Sequence, residues 1–388
     1  MSRQGSVKRD ASGAWMFVVD LAPPGAPRKQ VKRRGFRTKA EALDALDQVK
    51  NAGRTGTFVD PDRITLGDYL GRWVDGLAAV GRRTSTIDGY RRYVDRYVQR
   101  WPIGDVPVQS LTALHLDELY ADMRRRGLAA STVRQLHAIV GKALGDAERK
   151  GLVSRNVARL AEPPAAKAAR APEPKVWTPE QLSTFLGAVA GHHHGAMFRL
   201  GAMTGLRRGE LCGLRWEDLD LDAEPPRLRV RQSVTATHHT ENGKRVVALE
   251  VGDVKTAKSR RTVDLDPGTV TVLRRHRKAQ AADRLLVGAG YSDHGLVFAM
   301  PDGRPWNPET ISQAFERLVA ATDVPRIRLH DLRHTHATHV LATGANPRIV
   351  SERLGHASVA FTLDVYGHVL PGQQADAAAA VAALVDRL

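Results

Sequence analysis

Apolar positions alternate with polar ones near the start of the chain and recur at helical spacing through most of the remaining sequence. Between residues 15 and 19 the period is two, which predicts a strand, and a second strand is predicted at residues 30–36. Thr38 and Glu41 then form a capping box ahead of apolar residues at helical spacing. Residues 1–58 are therefore predicted to form a small β-sheet with one helix.

Helical periodicity dominates residues 60–162. One predicted helix begins near Leu66 and carries its apolar residues on a single face. Ser85 and Ser131 are expected to cap the next helices, because a serine hydroxyl accepts a hydrogen bond from an unpaired N–H of the first turn. Residues 163–176 are rich in proline and alanine, which is typical of a linker.

Residues 177–388 combine helical patterns with a few short strands. Pro179 within a capping box starts the first helix. Alternation over residues 228–232 predicts one strand, and residues 245–251 suggest another, so we expect a mixed α/β region, mostly helical, with a small antiparallel sheet. The alanine-rich residues 371–388 predict a C-terminal helix. The whole chain is predicted to be multidomain and mainly α.

Composition adds a strong positive charge to this picture. The 388 residues carry a net charge of +16 with a pI near 10.3. The expected partner is therefore a polyanion, with nucleic acid the first candidate and a membrane surface the rival. No apolar run approaches the length of a bilayer span, and the first residues lack a hydrophobic secretion signal. The single cysteine, Cys212, excludes an internal disulfide and fits a reducing compartment, so we expect a cytoplasmic protein.

Two groups of basic residues are candidate DNA contacts. Lys32, Arg33 and Arg34 lie on the second predicted strand, and a sheet can lay such side chains in a DNA groove. Arg91 and Arg92 lie on a predicted helix of the second region and are candidates for phosphate contact. The alternative for the basic strand is a charge run that only keeps the protein soluble.

The candidate chemistry lies between residues 329 and 369. His330 and Arg333 are three residues apart, so they share one face of a helix. His356 follows in an L-G-H motif, and Tyr366 follows ten residues later. An arginine fork binds two phosphate oxygens at once, and a tyrosine can attack phosphorus once its proton is removed. These residue types together suggest a site for a phosphodiester.

Each of these features also has a plainer explanation. His334, His336 and His339 extend the group to one that could bind zinc, although no H-E-x-x-H motif is present and Cys212 lies elsewhere. A lone tyrosine is more often a core aromatic residue than a nucleophile. The run of histidines at residues 192–194 is interpreted as an exposed connection, because adjacent histidines cannot share a helix face.

Further motifs turn these separate features into a recognisable set. The matching segments are T-G-L-R-x-x-E at residues 204–210, V-K-T-x-K-S-x-R at 254–261, H-D-L-R-H-T at 330–335 and L-G-H at 354–356, followed by Tyr366 in T-L-D-V-Y-G-H. In order and spacing they resemble the tyrosine recombinase family, the phage-type integrases. The second region resembles the core-binding domain of that family, and the first resembles its small arm-binding domain.

The resemblance implies a role for each matched residue. Arg207 and Arg333 would clamp the non-bridging oxygens of the scissile phosphate. Tyr366 would attack phosphorus, leaving a 3′-phosphotyrosyl bond and a free 5′-hydroxyl. Lys255 would be the general acid for the departing 5′-oxygen, with Lys258 as the alternative.

Three further residues complete the implied site. His330 would assist proton transfer at the tyrosine, His356 would hydrogen-bond the phosphate, and Glu210 would support the position of Arg207. Two guanidiniums and a lysine can supply the positive charge that phosphoryl transfer demands, so no metal and no cofactor are expected.

The resemblance also implies partners and a setting. The expected partner is double-stranded DNA at core and arm sites, bound by a homotetramer, with a directionality factor possible and no membrane contact. The protein is expected in the cytoplasm, associated with the nucleoid, where it would integrate or excise a mobile element. The alternatives are a type IB-like topoisomerase, a non-catalytic DNA-binding regulator and a metal-dependent nuclease.

Overall fold

The computed structural model describes most of the chain, in two compact units, Met1–Ala171 and Pro172–Leu388. The described residues are 5–22, 27–54, 58, 63–169, 173–241, 244–254, 259–367, 378–379, 381–383 and 385–386. Helices dominate, with three small antiparallel sheets among these residues, so the multidomain, mainly α fold class is confirmed. No helix within the described ranges is long and apolar enough to cross a membrane.

The N-terminal part of the first unit is a sheet covered by one helix. Its elements are β1 (Ser6–Arg9), β2 (Trp15–Asp20), β3 (Gln30–Phe36) and α1 (Lys39–Arg54), with the antiparallel strands in the order β1-β2-β3. Thr38 and Glu41 form the predicted capping box, since each main-chain N–H donates to the other's side chain. Phe17 and Leu46 are buried between sheet and helix, which confirms the predicted sheet-plus-helix arrangement.

The rest of the first unit is helical and has its own hydrophobic core. Its helices are α2 (Leu66–Gly76), α3 (Thr84–Val94), a π-helical turn (Asp95–Gln99), α4 (Ala113–Arg125) and α5 (Ala130–Arg149). Tyr69 joins α2 to α5, because its hydroxyl donates to the carbonyl of Ala143 at 2.6 Å. Trp73 does the same through its indole N–H, which donates to Asp146 at 2.6 Å.

The predicted caps of α3 and α5 are wrong. Helix α3 begins before Ser85, with the extended backbone of Arg83 at its N-cap, and α5 begins before Ser131, with Ala129 at its N-cap. The reason in α5 is burial: Ala130 is 5% exposed and packs as part of the helix, so the helix starts before the serine. Helix ends depend on such packing, which the sequence pattern locates only to within about two residues.

The second unit contains the remaining named helices, which pack around a small hydrophobic cluster with Leu341, Leu354 and Tyr366 and around one large core. They are α6 (Pro179–Ala188), α7 (Gly195–Thr204), α8 (Arg208–Gly213), α9 (Pro267–Val287), α10 (Pro308–Ala320), α11 (Asp331–Ala342), α12 (Pro347–Leu354) and α13 (Val359–Tyr366). The aromatic rings of Trp177, Phe185, Phe198 and Phe315 pack together at the centre of this core. Thr178 and Gln181 form the predicted capping box that opens α6.

Among the described residues of the second unit, five strands form two separate sheets. They are β4 (Leu219–Asp220), β5 (Arg227–Val230), β6 (Gln232–Glu241), β7 (Lys244–Asp253) and β8 (Arg261–Asp264). Strands β4, β5 and β8 form one antiparallel sheet, and β6 pairs with β7 as a long hairpin. The strand predicted over residues 228–232 is in fact two strands, because the chain leaves the first sheet after Val230 and joins the hairpin at Gln232.

The interpretation of residues 192–194 as an exposed connection is correct for His192 and His193 and wrong for His194. His194 is 8% exposed, and its ring packs edge-on against Trp306 at 4.8 Å between centroids. Burial of the ring lowers the pKa of His194 to about 4, so this side chain is an uncharged part of the core. Most of the predicted C-terminal helix at residues 371–388 lies outside the described residues.

Candidate active site

A sharp turn between α7 and α8 brings Arg207 to the site. Gly205 adopts a left-handed backbone, with φ at 65°, and ends α7. A side chain there is disfavoured for a second reason, since a Cβ would lie 2.4 Å from Cδ2 of Leu354, which is itself fully buried and would have to shift. Arg207 follows as the N-cap residue of α8, so its guanidinium projects from the start of that short helix.

Glu210 fixes the direction of that guanidinium. The main-chain N–H and Nη1 of Arg207 both donate to the Glu210 carboxylate at 2.8 Å, and Nη2 of Arg261 donates to it from the other side, also at 2.8 Å. Burial alone would raise the pKa of Glu210, but the hydrogen bond and charge of Arg261, with the charge of Arg207, outweigh it and lower that pKa. Glu210 is therefore an anion beneath the site.

Arg333 reaches the same place from α11. Its side chain is 4% exposed, and Nη1 donates to the carbonyl of Gly205 at 2.7 Å while Nη2 donates to the carbonyl of Leu354 at 2.6 Å. Burial and the positive charge of Arg207 lower the pKa of Arg333 to about 9, so it stays protonated at neutral pH. Two cationic forks are thus held side by side around two tight turns.

The second of these turns carries His356. Gly355 is left-handed, with φ at 65°, and its carbonyl accepts a hydrogen bond from Nη2 of Arg207 at 2.9 Å. His356 comes next, and its Nδ1 lies 2.8 Å from the hydroxyl oxygen of Thr362. Burial, with the charges of Arg333 and Arg207, lowers the pKa of His356 to about 3, which leaves it neutral.

Tyr366 is the last residue of α13 and is 2% exposed. Its hydroxyl lies 2.7 Å from Nδ1 of His334, and its ring is nearly parallel to that of His356, with 6.4 Å between centroids. Burial raises the pKa of Tyr366 to about 12, an effect that the charge of Arg333 partly opposes. The phenol is therefore protonated and buried in the protein, close enough to Arg333 to feel its charge.

The histidines of α11 have different roles. His330 is exposed at the start of the helix, and its ring meets that of His334 edge-on at 5.2 Å. His336 and His339 are structural, because they hydrogen-bond the carbonyls of Ala202 at 3.0 Å and Trp177 at 2.9 Å. Among the residues that the structure describes, no group of three His, Cys, Asp or Glu side chains is arranged to hold a metal ion.

Lys255 and Lys258, the two candidates for the general acid, lie outside the described residues. The segment that carries them runs between β7, which ends at Asp253, and β8, which begins at Arg261. Arg261 anchors the far end of that segment: Nε donates to the carbonyl of Arg353 at 2.7 Å, in addition to the bonds with Glu210.

A cleft of about 760 Å³ opens beside Arg207. Glu210, Val234, Glu309 and Gly355 are among its lining residues, so it lies between α8, the β6–β7 hairpin, the start of α10 and the turn before His356. Arg207 and the turn at Gly355 thus border this cleft, whereas Arg333 is not among its lining residues.

Two residues of this site have no catalytic role in the sequence-based predictions. His334 appears there only as a possible zinc ligand, although its position directly after Arg333 puts it on the same helix as His330. Arg261 is the last residue of the V-K-T-x-K-S-x-R motif and has no predicted role. The position of Arg261 at the end of a matched motif is the sequence feature that could have identified it as a residue of the site.

The basic residues of the N-terminal sheet divide between its two faces. Lys32 pairs across the strands with Val18, and Arg34 pairs with Met16, so both project from the face away from Phe17. Arg33 pairs with Phe17 and projects toward the helix-covered face. All three side chains are exposed, but only Lys32 and Arg34 share the open face.

The two arginines of α3 also differ. Arg92 is exposed, whereas Arg91 is partly buried and its Nη2 lies 2.6 Å from the carboxylate of Asp75 on α2. Arg92 is therefore the more available of the two for a phosphate.

Comparison with known proteins gives the family. The model of the phage integrase family matches residues 175–372, and that of an arm DNA-binding domain matches residues 6–53. A tyrosine recombinase XerC-like protein of Caldanaerobacter subterraneus is 27% identical over 348 residues, covering 88% of each chain. An integrase of Streptomyces ambofaciens is 28% identical over 362 residues, covering 91% of this chain and 88% of that one.

Solved structures agree in fold. The Tn1549 transposon integrase in complex with a circular intermediate DNA superposes with a TM-score of 0.63 at 20% identity, covering 78% of this chain and 95% of that one. A lambda integrase dimer bound to a core site superposes with a TM-score of 0.57 at 16% identity, covering 93% and 94%. The chain therefore belongs to the phage integrase family and is a tyrosine-type site-specific DNA recombinase.

Proposed function

We propose that Arg207 and Arg333 bind the scissile phosphate and that Tyr366 attacks its phosphorus, forming a 3′-phosphotyrosyl bond and releasing a 5′-hydroxyl. The observation that supports this most strongly is the shared anchoring of both guanidiniums. Arg207 donates to the carbonyl of Gly355 and Arg333 to that of Leu354, so they meet at the turn that leads into His356 and α13. The proposed nucleophile ends that same helix.

The two arginines have donors for the phosphate. A guanidinium carries five N–H donors in a fixed plane. Described residues accept from Nη1 and Nη2 of both Arg207 and Arg333, and each of these nitrogens carries two hydrogens. The remaining hydrogens suit the non-bridging oxygens, whose negative charge they would neutralise in the transition state.

Two histidines assist in this scheme. His356 holds Thr362 through Nδ1, and Nε2 is then the nitrogen that would hydrogen-bond the phosphate. His330, exposed beside His334, would assist proton transfer on the tyrosine side. Lys255, with Lys258 as the alternative, would protonate the departing 5′-oxygen.

The positive charge for phosphoryl transfer comes from side chains in this proposal. Phosphoryl transfer is catalysed mainly by positioning and by neutralising charge. Arg207, Arg333 and a lysine would supply three positive charges around one phosphodiester, and Glu210 holds the first of them in place. The reaction would therefore proceed without a metal ion, and the phosphotyrosyl bond would conserve the energy needed for rejoining.

Tyr366 must be uncovered to react with DNA. The side chain is 2% exposed, and a DNA phosphate cannot reach an oxygen that is enclosed by protein. DNA binding would therefore displace the residues that cover the phenol, so that a phosphate on its own or a neighbouring protomer reaches the oxygen while Tyr366 stays beside His334. This requirement gives the protein a means of withholding its nucleophile until DNA is bound.

The proposed division of labour follows the chain. Residues 1–58 would bind arm sites, residues 60–162 core sites, and residues 177–388 would carry out catalysis, with 163–176 as the linker. A homotetramer on DNA, acting with a directionality factor, would integrate or excise a mobile element. A lambda integrase tetramer bound to a Holliday junction has the same fold, with a TM-score of 0.55. The proposed location is the cytoplasm, on the nucleoid.

The test uses a library of nicked DNA duplexes with a randomised core, incubated with the full chain in EDTA. Covalent protein–DNA adducts are isolated under denaturing conditions, sequenced and checked for which strand end is attached. The proposal predicts adducts at 3′ ends, formed equally well with EDTA and with Mg²⁺, and concentrated in one core sequence.

Matched variants make this test specific. Arg207→Ala and Arg333→Ala should abolish adducts. The control is Arg208→Ala, which changes the exposed neighbour of Arg207 and should reduce adducts only a few-fold. Strict dependence on Mg²⁺, or attachment at 5′ ends, would refute the proposed mechanism. Relaxation of supercoiled plasmid without any sequence preference would favour a topoisomerase instead.

A further inference from the structure

One hydrogen bond connects α11 directly to the proposed nucleophile. The hydroxyl of Tyr366 lies 2.7 Å from Nδ1 of His334, and the two rings are 5.6 Å apart. We infer that His334 is a catalytic residue of this recombinase: Nδ1 orients the Tyr366 hydroxyl and accepts its proton as the oxygen attacks phosphorus. The inference rests on the proposed function, because it takes Tyr366 as the nucleophile.

The direction of this hydrogen bond depends on the charge of His334. Burial and the neighbouring His330 lower the pKa of His334 to about 4, so the ring is neutral at physiological pH. A neutral imidazole has one nitrogen with a proton and one with a free lone pair. When Nε2 carries the proton, Nδ1 accepts from the phenol, and this tautomer is the one that can take a proton in the reaction.

The charged and titratable groups around His334 and Tyr366 lie on α11 with the chain before it, on α13 and on the turn that precedes α13. Along α11 and the chain before it, His334 is faced by His330, Asp331, Arg333 and Arg328. From α13 it is faced by Tyr366, and from the preceding turn by His356. The nearby positive charges and the buried position keep the ring neutral before DNA arrives. A bound phosphate brings negative charge to this group, which helps to stabilise the imidazolium that forms as the phenol proton is transferred.

The proton stays on the phenol until the attack begins. The pKa of Tyr366 is raised to about 12 and that of His334 is lowered to about 4, so transfer in the free protein is strongly unfavourable. As the phenol oxygen bonds to phosphorus it loses electron density and becomes far more acidic. Transfer to Nδ1 therefore accompanies the attack, as in general base catalysis.

The step balances without a further reactant. The bond from the Tyr366 oxygen to phosphorus forms, and the bond from phosphorus to the 5′-oxygen breaks. The phenol proton moves to Nδ1 of His334, and the 5′-oxygen receives a different proton, from the lysine assigned to that side. In rejoining, the imidazolium of His334 returns its proton to the departing phenol oxygen.

His330 occupies a different position. It is exposed at the start of α11 and meets the His334 ring edge-on, whereas the described contact to the phenol comes from His334. His330 can stabilise the imidazolium of His334, but the His334 ring is the one that contacts the reacting oxygen. The two histidines are thus distinguishable by mutation.

The test separates the tyrosine side from the leaving-group side. It uses the core duplex recovered from the randomised library, made with sulfur in place of the bridging 5′-oxygen at the scissile phosphate. A thiolate departs without being protonated, so the lysine is no longer needed and any remaining defect lies on the tyrosine side. The measured quantity is the single-turnover rate of adduct formation between about pH 6 and 9.

The parent and variants have distinct expected profiles. The parent rate should be flat with pH, because His334 stays neutral throughout. His334→Ala should react about 100-fold more slowly at pH 7 and gain about tenfold per pH unit, since hydroxide must then remove the phenol proton. His334→Asn retains an acceptor oxygen at the Nδ1 position, so it should recover part of the rate and keep the pH slope. The matched His330→Asn should stay flat.

Three results would overturn the inference. The first is a flat pH profile with a near-parental rate for His334→Asn, which would mean that His334 only orients the phenol. The second is a flat pH profile for His334→Ala. The third is a pH slope that appears in His330→Asn instead. If His334→Ala fails to fold, as judged by its thermal transition, His334→Asn alone decides between slope and no slope. Tyr366→Phe tests the proposed function separately, because an adduct formed by that variant refutes the nucleophile whatever His334 does.

Discussion

The carboxylate of Glu210 accepts a hydrogen bond from Nη2 of Arg261 at 2.8 Å, and both side chains are almost completely buried, at 3% and 6% exposed. The same carboxylate orients Arg207 from its other side. The position of Arg207, which we propose binds the phosphate, therefore depends on a second arginine that follows the segment carrying Lys255.

Removing Arg261 should destabilise the second unit and disturb Arg207. Arg261→Ala leaves Glu210 with one partner in a buried site, which typically costs about 3 kcal/mol. The free energy of unfolding, measured by urea denaturation, should fall by that amount, and adduct formation should fall with it. The neighbouring Arg260→Ala is the control: its ion pair with Asp253 is exposed on both sides, so stability should change by less than about 1 kcal/mol. Equal effects of the two variants would contradict the assigned role of Arg261.

Glu210 should make stability depend on pH in the acid range. Its folded-state pKa is lowered, so it binds its proton more weakly when folded than when unfolded. The stability it contributes is fully present above the unfolded value of 4.5 and is lost as pH falls through the lower folded pKa. Unfolding of the parent and Glu210→Gln should be compared from neutral pH downward. The difference between them should shrink below about pH 4.5, and a constant difference would be inconsistent with this coupling.

Gly205 should tolerate no side chain. Gly205→Ala combines left-handed strain with a Cβ placed 2.4 Å from Leu354 Cδ2, and should destabilise by about 3 kcal/mol and abolish adduct formation. Gly127→Ala is the matched control, because Gly127 has φ at +79° but nothing within 4 Å of the added Cβ. That variant should lose only about 1 kcal/mol and remain active. Thermal denaturation and the adduct assay measure both quantities, and an active Gly205→Ala enzyme would contradict the tight turn.

The open face of the N-terminal sheet should carry more of the DNA affinity than the helix-covered face. Lys32→Ala and Arg34→Ala should each reduce the log–log salt dependence of binding to a mixed-sequence duplex by about 0.9. Arg33→Ala should reduce this salt dependence much less, because Arg33 pairs across the strands with Phe17 and projects from the helix-covered face. The slopes come from titrations of the full chain at several salt concentrations. Three equal reductions would mean that the sheet does not bind DNA through one face.

Much of this architecture was predictable because it rests on local patterns. The sheet with its helix, the caps at Thr38 and Thr178 and the breaks at Gly205 and Gly355 all follow from residues close in sequence. The motif resemblance also located the arginines, His356 and Tyr366, which the fold brings together.

What the sequence did not predict depends on contacts between distant segments. Arg261 meets Glu210 across 51 positions, and His334 meets Tyr366 across 32, so neither pairing is visible as a local period. The start of α5 is set by the burial of Ala130, and the break between β5 and β6 reflects pairing with different partners. Tertiary packing decided each of these cases.

The identity of the covalently attached residue tests the central claim most directly. Adducts formed on the recovered core duplex are digested with nuclease and trypsin, and the peptides that carry a nucleotide are sequenced by mass spectrometry. We expect a 3′-linked nucleotide on Tyr366 in the parent and no modified peptide from Tyr366→Phe. A nucleotide on any other side chain, or an adduct that persists in Tyr366→Phe, would contradict the proposed role of the tyrosine.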